Sequence, residues 1–134
     1  MLDLPTLRLA TLRRLVAHAP PPLVFASDTP ISIVEEALWE LPFAKVVLVD
    51  RDHSLCGVLV AGDLPTERPP GLTTTEQIME TRIVFLAPEH DVEGALATLR
   101  AHHAEHVVVT LAGALLGVLS RADLERAYGM RRAA

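Results

Sequence analysis

Three things are scarce in this 134-residue sequence: cysteine, aromatic side chains and long apolar runs. Cys56 is the only cysteine, which excludes an internal disulfide framework and suits a reducing compartment. Its aliphatic neighbours Leu55, Val58 and Leu59 predict a buried thiol rather than a catalytic one. Aromatic residues make up 4% of the chain and hydrophobic residues 50%, so the interior must be built from Leu, Val and Ala, as where aliphatic strands pack against helices. No apolar stretch approaches the roughly 18 residues that suggest a membrane-spanning helix. The N-terminus is a mixed Leu/Arg segment without the apolar centre of a signal peptide. A cytoplasmic protein without a membrane partner is the expectation. The net charge is −5, so no global field attracts a polyanion, and nucleic acid is not an expected partner.

What the chain does have is a repeat. One pattern occurs twice, about 60 residues apart. Val24-Phe25 matches Val84-Phe85. Pro30, seven residues before Ala37-Leu38, matches Pro88, seven before Ala95-Leu96, and Lys45 to Val49 matches Glu105 to Val109. Gly57 to Leu64 lies over Gly117 to Leu124 with five identities in eight positions. Each copy reads as a short strand, then a helix, a hairpin and a final helix. The first helices carry apolar faces of Ile33, Ala37, Leu38 and Leu41, and of Val92, Ala95, Leu96 and Leu99. The hairpins turn at Asp50 to Ser54 and at Ala112-Gly113. The second copy's last helix is expected from Ser120 to about Tyr128-Gly129, and Pro65, Pro69 and Pro70 cut its counterpart short. Leu4 to His18 reads as an amphipathic helix with Arg8, Arg13 and Arg14 on its wet face, ended by three prolines. Thr73 to Met79 carries two overlapping capping boxes and leads into the second copy. The expected organisation is an N-terminal helix and proline linker over residues 1–22, a first repeat over 23–68 and a second over 69–134. The fold class is α/β (α+β).

This ordered set resembles the tandem CBS (cystathionine-β-synthase) family, or Bateman module, from about Leu23 to Tyr128. In the second copy the likeness rests on Ile78-Met79, Pro88, Gly94-Ala95-Leu96, Val107-Val108-Val109 and Gly117 to Leu124. The resemblance implies two βαββα repeats about a pseudo-twofold axis, with clefts between them that take adenosine compounds such as AMP, ADP, ATP or S-adenosylmethionine. It also implies a homodimer of stacked modules, with the effector protein left open.

Ser120-x-x-Asp123 is the sharpest chemical feature. A serine at a helix start can meet a phosphate, aided by backbone N–H groups and the positive dipole end, and Asp123 can accept ribose hydroxyls. The same spacing is an ordinary capping box that needs no ligand, and both readings stay open. Arg121 lies within the motif. The first copy keeps Asp63 but has Val60 in place of Ser120, so its site is expected to be degenerate. By the resemblance, Thr81 lies beside a purine, with Arg82, Ile83 and Val84 giving backbone or apolar contact. Lys45 stands where relatives place a basic residue toward phosphates, and Glu105 stands at the matching point of the second copy, where it would repel them. That favours AMP, adenosine or S-adenosylmethionine over a polyphosphate.

His102, His103, Glu105 and His106 invite a metal reading, but they straddle a helix end and a strand start, and no metal site is expected. No nucleophile–base–orienter trio, glycine-rich phosphate loop or paired catalytic carboxylate stands out, so no catalytic residue or cofactor is assigned. The expectation is a ligand-sensing regulatory module and not an enzyme. The alternative is a structural, dimerising or partner-docking module with vestigial sites.

Overall fold

The structure, a computed structural model, describes residues 11–133. The start of the expected N-terminal helix, with Leu4 and Arg8, lies outside them. The described elements, in chain order, are α1 (Leu12–His18), β1 (Leu23–Ala26), α2 (Ile31–Glu40), β2 (Val46–Val49), β3 (Leu55–Leu59) and a 3-10 turn (Ala61–Asp63). A second 3-10 turn (Thr75–Gln77), β4 (Ile83–Leu86), α3 (Val92–His102), β5 (His106–Leu111), β6 (Ala114–Ser120) and α4 (Arg121–Ala133) follow.

Each repeat forms a three-stranded sheet of one design. In the first, β1 pairs with β2 in parallel across the α2 crossover, and β2 pairs with β3 as a hairpin. In the second, β4, β5 and β6 do the same. Leu23, Val46 and Leu59 form one inward-facing row across the first sheet, and Val84, Val107 and Leu119 form the corresponding row of the second, with Ile83, His106 and Ser120 as the row beside it. The turn after β5 puts Ala112 and Gly113 at φ 51° and 83°, the pair of positive values a tight two-residue hairpin requires.

The central strands explain the Val-rich runs. Val46 and Leu48 enter one core with Val34, Leu38, Ala44 and Leu59, while Val47 on the opposite face is buried too. A strand covered on both faces reads as a continuous apolar run. In the second repeat Val107 and Val109 join Val92, Ala95, Leu96, Leu99 and Leu119, and Val108 is likewise buried. All four residues of the expected α3 face are thus inside. The expected α2 face is displaced: Ile31, Val34 and Leu38 are buried, whereas Ile33 and Leu41 are 49% and 53% exposed. The helix begins directly after Pro30, and the Ile31 N–H donates to the Thr73 carbonyl at 2.9 Å, which turns Ile31 inward and the Ile33 side out. The last helix also differs, running on through Gly129 to Ala133.

Contacts divide the described residues into two compact units that do not follow chain order. Residues 20–81 form one, and the described parts of 1–19 and 82–134 form the other. The segment leading into the second repeat therefore belongs to the unit of the first, and α1, ahead of the first repeat, belongs to the unit of the second. The two segments make equivalent bonds. The Thr75 and Glu76 N–H groups donate to the Thr29 and Ser27 carbonyls at 3.0 and 2.9 Å; those of Leu12 and Arg13 donate to the His90 and Pro88 carbonyls, both at 2.9 Å. Thr75 and Leu12 are both fully buried. Farther along, Met79 covers Gly57 of β3, as Val16 covers Gly117 of β6. The N-terminal helix is thus the structural twin of residues 74–79, a relation the sequence comparison missed.

These crossings explain the paired glycines. A Cβ at Gly117 would come within 2.8 Å of Val16 Cγ1 and 3.0 Å of its Cβ, while one at Gly57 would meet Met79 Cβ at 3.1 Å but have its two nearest contacts, Sδ at 2.5 Å and Cγ at 2.7 Å, on the flexible part of that side chain. Valine is stiff at χ1 and methionine adapts. Gly117→Ala should therefore cost about 1–3 kcal/mol in urea unfolding, the usual penalty for overpacking, and Gly57→Ala distinctly less.

Candidate functional site

The Ile83–His106–Ser120 row ends where β6 passes straight into α4. Ser120 closes the strand, Arg121 opens the helix, and a reciprocal capping box holds the junction. The Ser120 N–H donates to Asp123 Oδ2 at 2.8 Å, and the Asp123 N–H donates to Ser120 Oγ at 3.0 Å. Asp123 Oδ1 accepts from the Arg126 guanidinium at 2.7 Å. Both carboxylate oxygens and the serine hydroxyl are thus engaged, and the capping reading of Ser-x-x-Asp is realised in full. Arg121 turns back on its own unit: its N–H donates to the Glu105 carbonyl at 2.8 Å and its guanidinium to the Ala104 carbonyl at 3.0 Å. Its Nε lies 3.5 Å from the Glu105 carboxylate, an ion pair without hydrogen-bond geometry.

At the same end of the sheet Arg82 is exposed, immediately before β4. Arg121 pairs with Glu105 and Arg126 with Asp123, and Arg82 directly precedes Ile83, the β4 residue that pairs with His106. Val84 lies in the core of this unit at 9% exposure, so it offers a ligand backbone rather than side chain. Thr81 is exposed and ends the other unit, directly after a bridge in which Glu80 and Val58 exchange backbone hydrogen bonds at 2.8 and 3.0 Å.

The equivalent end of the first repeat is thinner. Asp63 Oδ2 accepts from the Val60 N–H at 2.9 Å, but Val60 has no hydroxyl to answer the Asp63 N–H, which bonds the Val60 carbonyl instead. A single 3-10 turn stands in place of a helix, and Asp63 is exposed. Lys45, half-buried before β2, accepts from the Leu23 N–H at 2.9 Å through its carbonyl. Sequence reasoning missed what adjoins it: an apolar cavity of about 560 Å³ lined by Leu23, Leu41, Pro42, Phe43 and Ala44. Phe43 is 86% exposed and Trp39 73%. The signal available was Leu41-Pro42-Phe43, an apolar triplet at a helix end.

The histidines do not converge. His103 ends α3 in the left-handed conformation at φ 52°, His102 is exposed, and His106 is buried in β5. Among the described residues, no three His, Cys, Asp or Glu side chains are placed to hold a metal ion. Cys56 is half-buried, against the expectation of a buried thiol, and its Sγ donates to the Leu48 carbonyl at 3.4 Å. Burial raises the thiol pKa, and the fields of Asp50 and Glu76 add to that against a lowering hydrogen bond with Ser27. This is the reverse of the electropositive setting that activates a thiolate. Alkylation of Cys56 at pH 8 should run slower than that of a free cysteine; a faster reaction would contradict this account.

Comparison with known proteins agrees with this architecture. Residues 76–129 match the CBS domain family model. The second repeat is a CBS domain. The first repeat has the same strand order and register, so the chain has the architecture of a tandem CBS pair. Among solved structures, the CBS domain pair of protein MJ0100, in complex with 5′-methylthioadenosine and S-adenosyl-L-methionine, is similar at TM-score 0.73 and 17% identity, covering 92% of this chain and 98% of that one. The CBS domain of a CBS domain-containing membrane protein from Sphaerobacter thermophilus gives TM-score 0.71 at 18% identity, covering 92% and 90%. That of a bacterial CNNM/CorC family Mg2+ transporter, in complex with ATP, gives 0.70 at 17%, covering 91% and 89%. No curated protein matches the sequence. Among the described residues, no helix is long and apolar enough to cross a membrane.

Proposed function

We propose that the chain is a regulatory, non-catalytic module that takes an adenosine-containing ligand at the Ser120–Asp123 end of its second repeat. The observation that carries this reading is the Ser120–Asp123–Arg126 constellation at the start of a 13-residue helix. Ser120 Oγ can turn from the Asp123 N–H to a phosphate or sulfonium-bearing ligand, and Asp123 can exchange Arg126 for ribose hydroxyls. Arg82 and Arg126 then meet the ligand's anionic group. Glu105 opposes a long polyphosphate, which favours AMP, adenosine or S-adenosylmethionine over ATP. That CBS pairs of the same architecture have been solved with adenosine compounds supports the class of ligand. Regulation requires that the ligand bind two states of the module with different affinity. Thermal unfolding of the full chain with AMP, ADP, ATP and S-adenosylmethionine tests this reading: a dose-dependent rise with AMP or S-adenosylmethionine is expected, and no response to any of the four removes it.

A second reading is favoured by the exposed Trp39 and Phe43, beside Leu41 at 53%. Exposed apolar groups this large mark association surfaces, and a second copy of the chain is the proposed occupant, giving a homodimer. In sedimentation, Trp39→Glu should then shift the chain toward monomer, with no dependence on nucleotide. A nucleotide-dependent change would count against a purely structural dimer.

A further inference from the structure

We propose that the exposed aromatic face of α2 packs against α3 of a second copy of the chain. This contact rests on the homodimer reading above and names the surface that receives Trp39. The two helices are equivalent: Ile31, Val34 and Leu38 are buried in α2 at the same spacing as Val92, Ala95 and Leu99 in α3. Their exposed faces therefore compare position by position. α2 presents Ile33, Glu36, Trp39 and Glu40, where α3 presents Gly94, Ala97, Arg100 and Ala101. The first face is bulky and acidic, and the second is small and basic. α2 contains no basic residue, and Glu35 at its side is paired with Arg68 at 2.7 Å. The contrast continues past the last turns, with Leu41, Pro42 and Phe43 exposed after α2 and His102 and His103 exposed at the end of α3. Glu93 is the one acid on α3, in its first turn, about two turns from Arg100.

Two copies can join through these helices in three ways, and charge favours one. Packing α2 on α2 sets the Glu36 and Glu40 carboxylates of both copies together with no base on either helix. Packing α3 on α3 opposes two Arg100 side chains and has no large apolar group on the exposed faces to bury. Packing α2 on α3 brings Glu36 and Glu40 toward Arg100 and gives the Trp39 ring a guanidinium of the kind that aromatic faces attract. Gly94, Ala97 and Ala101 leave room for the indole. Like-charge repulsion disfavours the two wrong pairings, so specificity comes from both sides. Trp and Arg are also the side chains that carry most of the energy at association surfaces. In a twofold dimer each contact recurs with the roles of the copies exchanged, so each copy supplies one acidic and one basic face.

The test is sedimentation equilibrium of the full chain, together with the fluorescence of Trp39, its only tryptophan. The wild type is expected to dimerise, with the Trp39 emission moving to shorter wavelength as the dimer forms. Arg100→Glu and Glu40→Arg should each raise the dimer dissociation constant by about tenfold or more, and the two together should return it to within about threefold of the wild type. A dimer that Arg100→Glu leaves as tight as the wild type overturns the proposal while the Trp39 homodimer stands. So does a double substitution that associates no better than the single ones. A wild type that stays monomeric up to about 1 mM removes the homodimer itself, and this contact with it. Should Arg100→Glu not fold, Arg100→Gln takes its place, with a required weakening of about threefold. None of these substitutions touches Ser120 or Asp123, so the outcome is independent of adenosine binding.

Discussion

Leu12→Ala is expected to destabilise the chain by about 2–5 kcal/mol, the range for truncating a fully buried leucine. Leu12 precedes the first repeat, outside both copies of the duplicated pattern. It is nevertheless fully buried, in the core with Val92, Leu96, Leu99 and Leu124, and its N–H bonds the His90 carbonyl. The cost follows from a side chain that arrives from ahead of the first repeat to complete the core of the second. Thr75, its twin, makes a sharper comparison. Its hydroxyl donates to both the Ser27 and Thr29 carbonyls, at 3.0 and 3.1 Å. Those carbonyls also accept backbone N–H groups, so Thr75→Val leaves no buried acceptor without a donor and should cost only about 1 kcal/mol. Urea unfolding measures both. A loss below about 0.5 kcal/mol for Leu12→Ala would place it among surface substitutions and contradict its role.

Asp123→Ala has the largest expected effect on binding. Without ligand it removes the acceptor of the Ser120 N–H and the partner of Arg126, at a cost of about 0.5–2 kcal/mol, the range for losing a helix cap. With ligand at a hundredfold excess over its dissociation constant, the wild-type chain should gain about 2.7 kcal/mol, and the variant should lose that gain. Asp63→Ala is the internal control. It removes one hydrogen bond from an exposed 3-10 turn, should cost about 0.5 kcal/mol, and should leave the ligand-induced gain intact. Equal effects of the two substitutions on the gain would mean that the second repeat has no special place in binding.

The duplication was legible because strands and hairpins keep their identities: Gly57-Val58-Leu59 and Gly117-Val118-Leu119 match residue for residue and occupy the same register. The exchanged lead-ins were not. Leu12 and Thr75 are the same position by hydrogen bonding and burial, yet one is apolar and the other polar, and only the later pairs Leu15-Val16 and Ile78-Met79 share an apolar character. Periodicity placed α3 correctly, since its four apolar residues all face the core. It misplaced α2 because Ile31, Ile33, Val34 and Leu41 offer two apolar stripes, and only the Thr73 carbonyl decides between them. Gly129 looked like a stop, but a glycine ends a helix only where the chain turns left-handed, and here the helix continues. At the candidate site, Ser-x-x-Asp spacing allows either a cap or a ligand contact, and the structure contains the cap. The apolar cavity at Phe43 had only the Leu41-Pro42-Phe43 triplet to signal it, because Leu23 is brought beside that triplet by the fold.

The most direct test of the central claim is a calorimetric titration of the full chain with AMP and with S-adenosylmethionine. Saturable binding of at least one of them is expected, weakened by about tenfold or more in Asp123→Ala and unchanged in Asp63→Ala. No saturable heat with either compound would contradict it, as would binding that Asp123→Ala leaves intact.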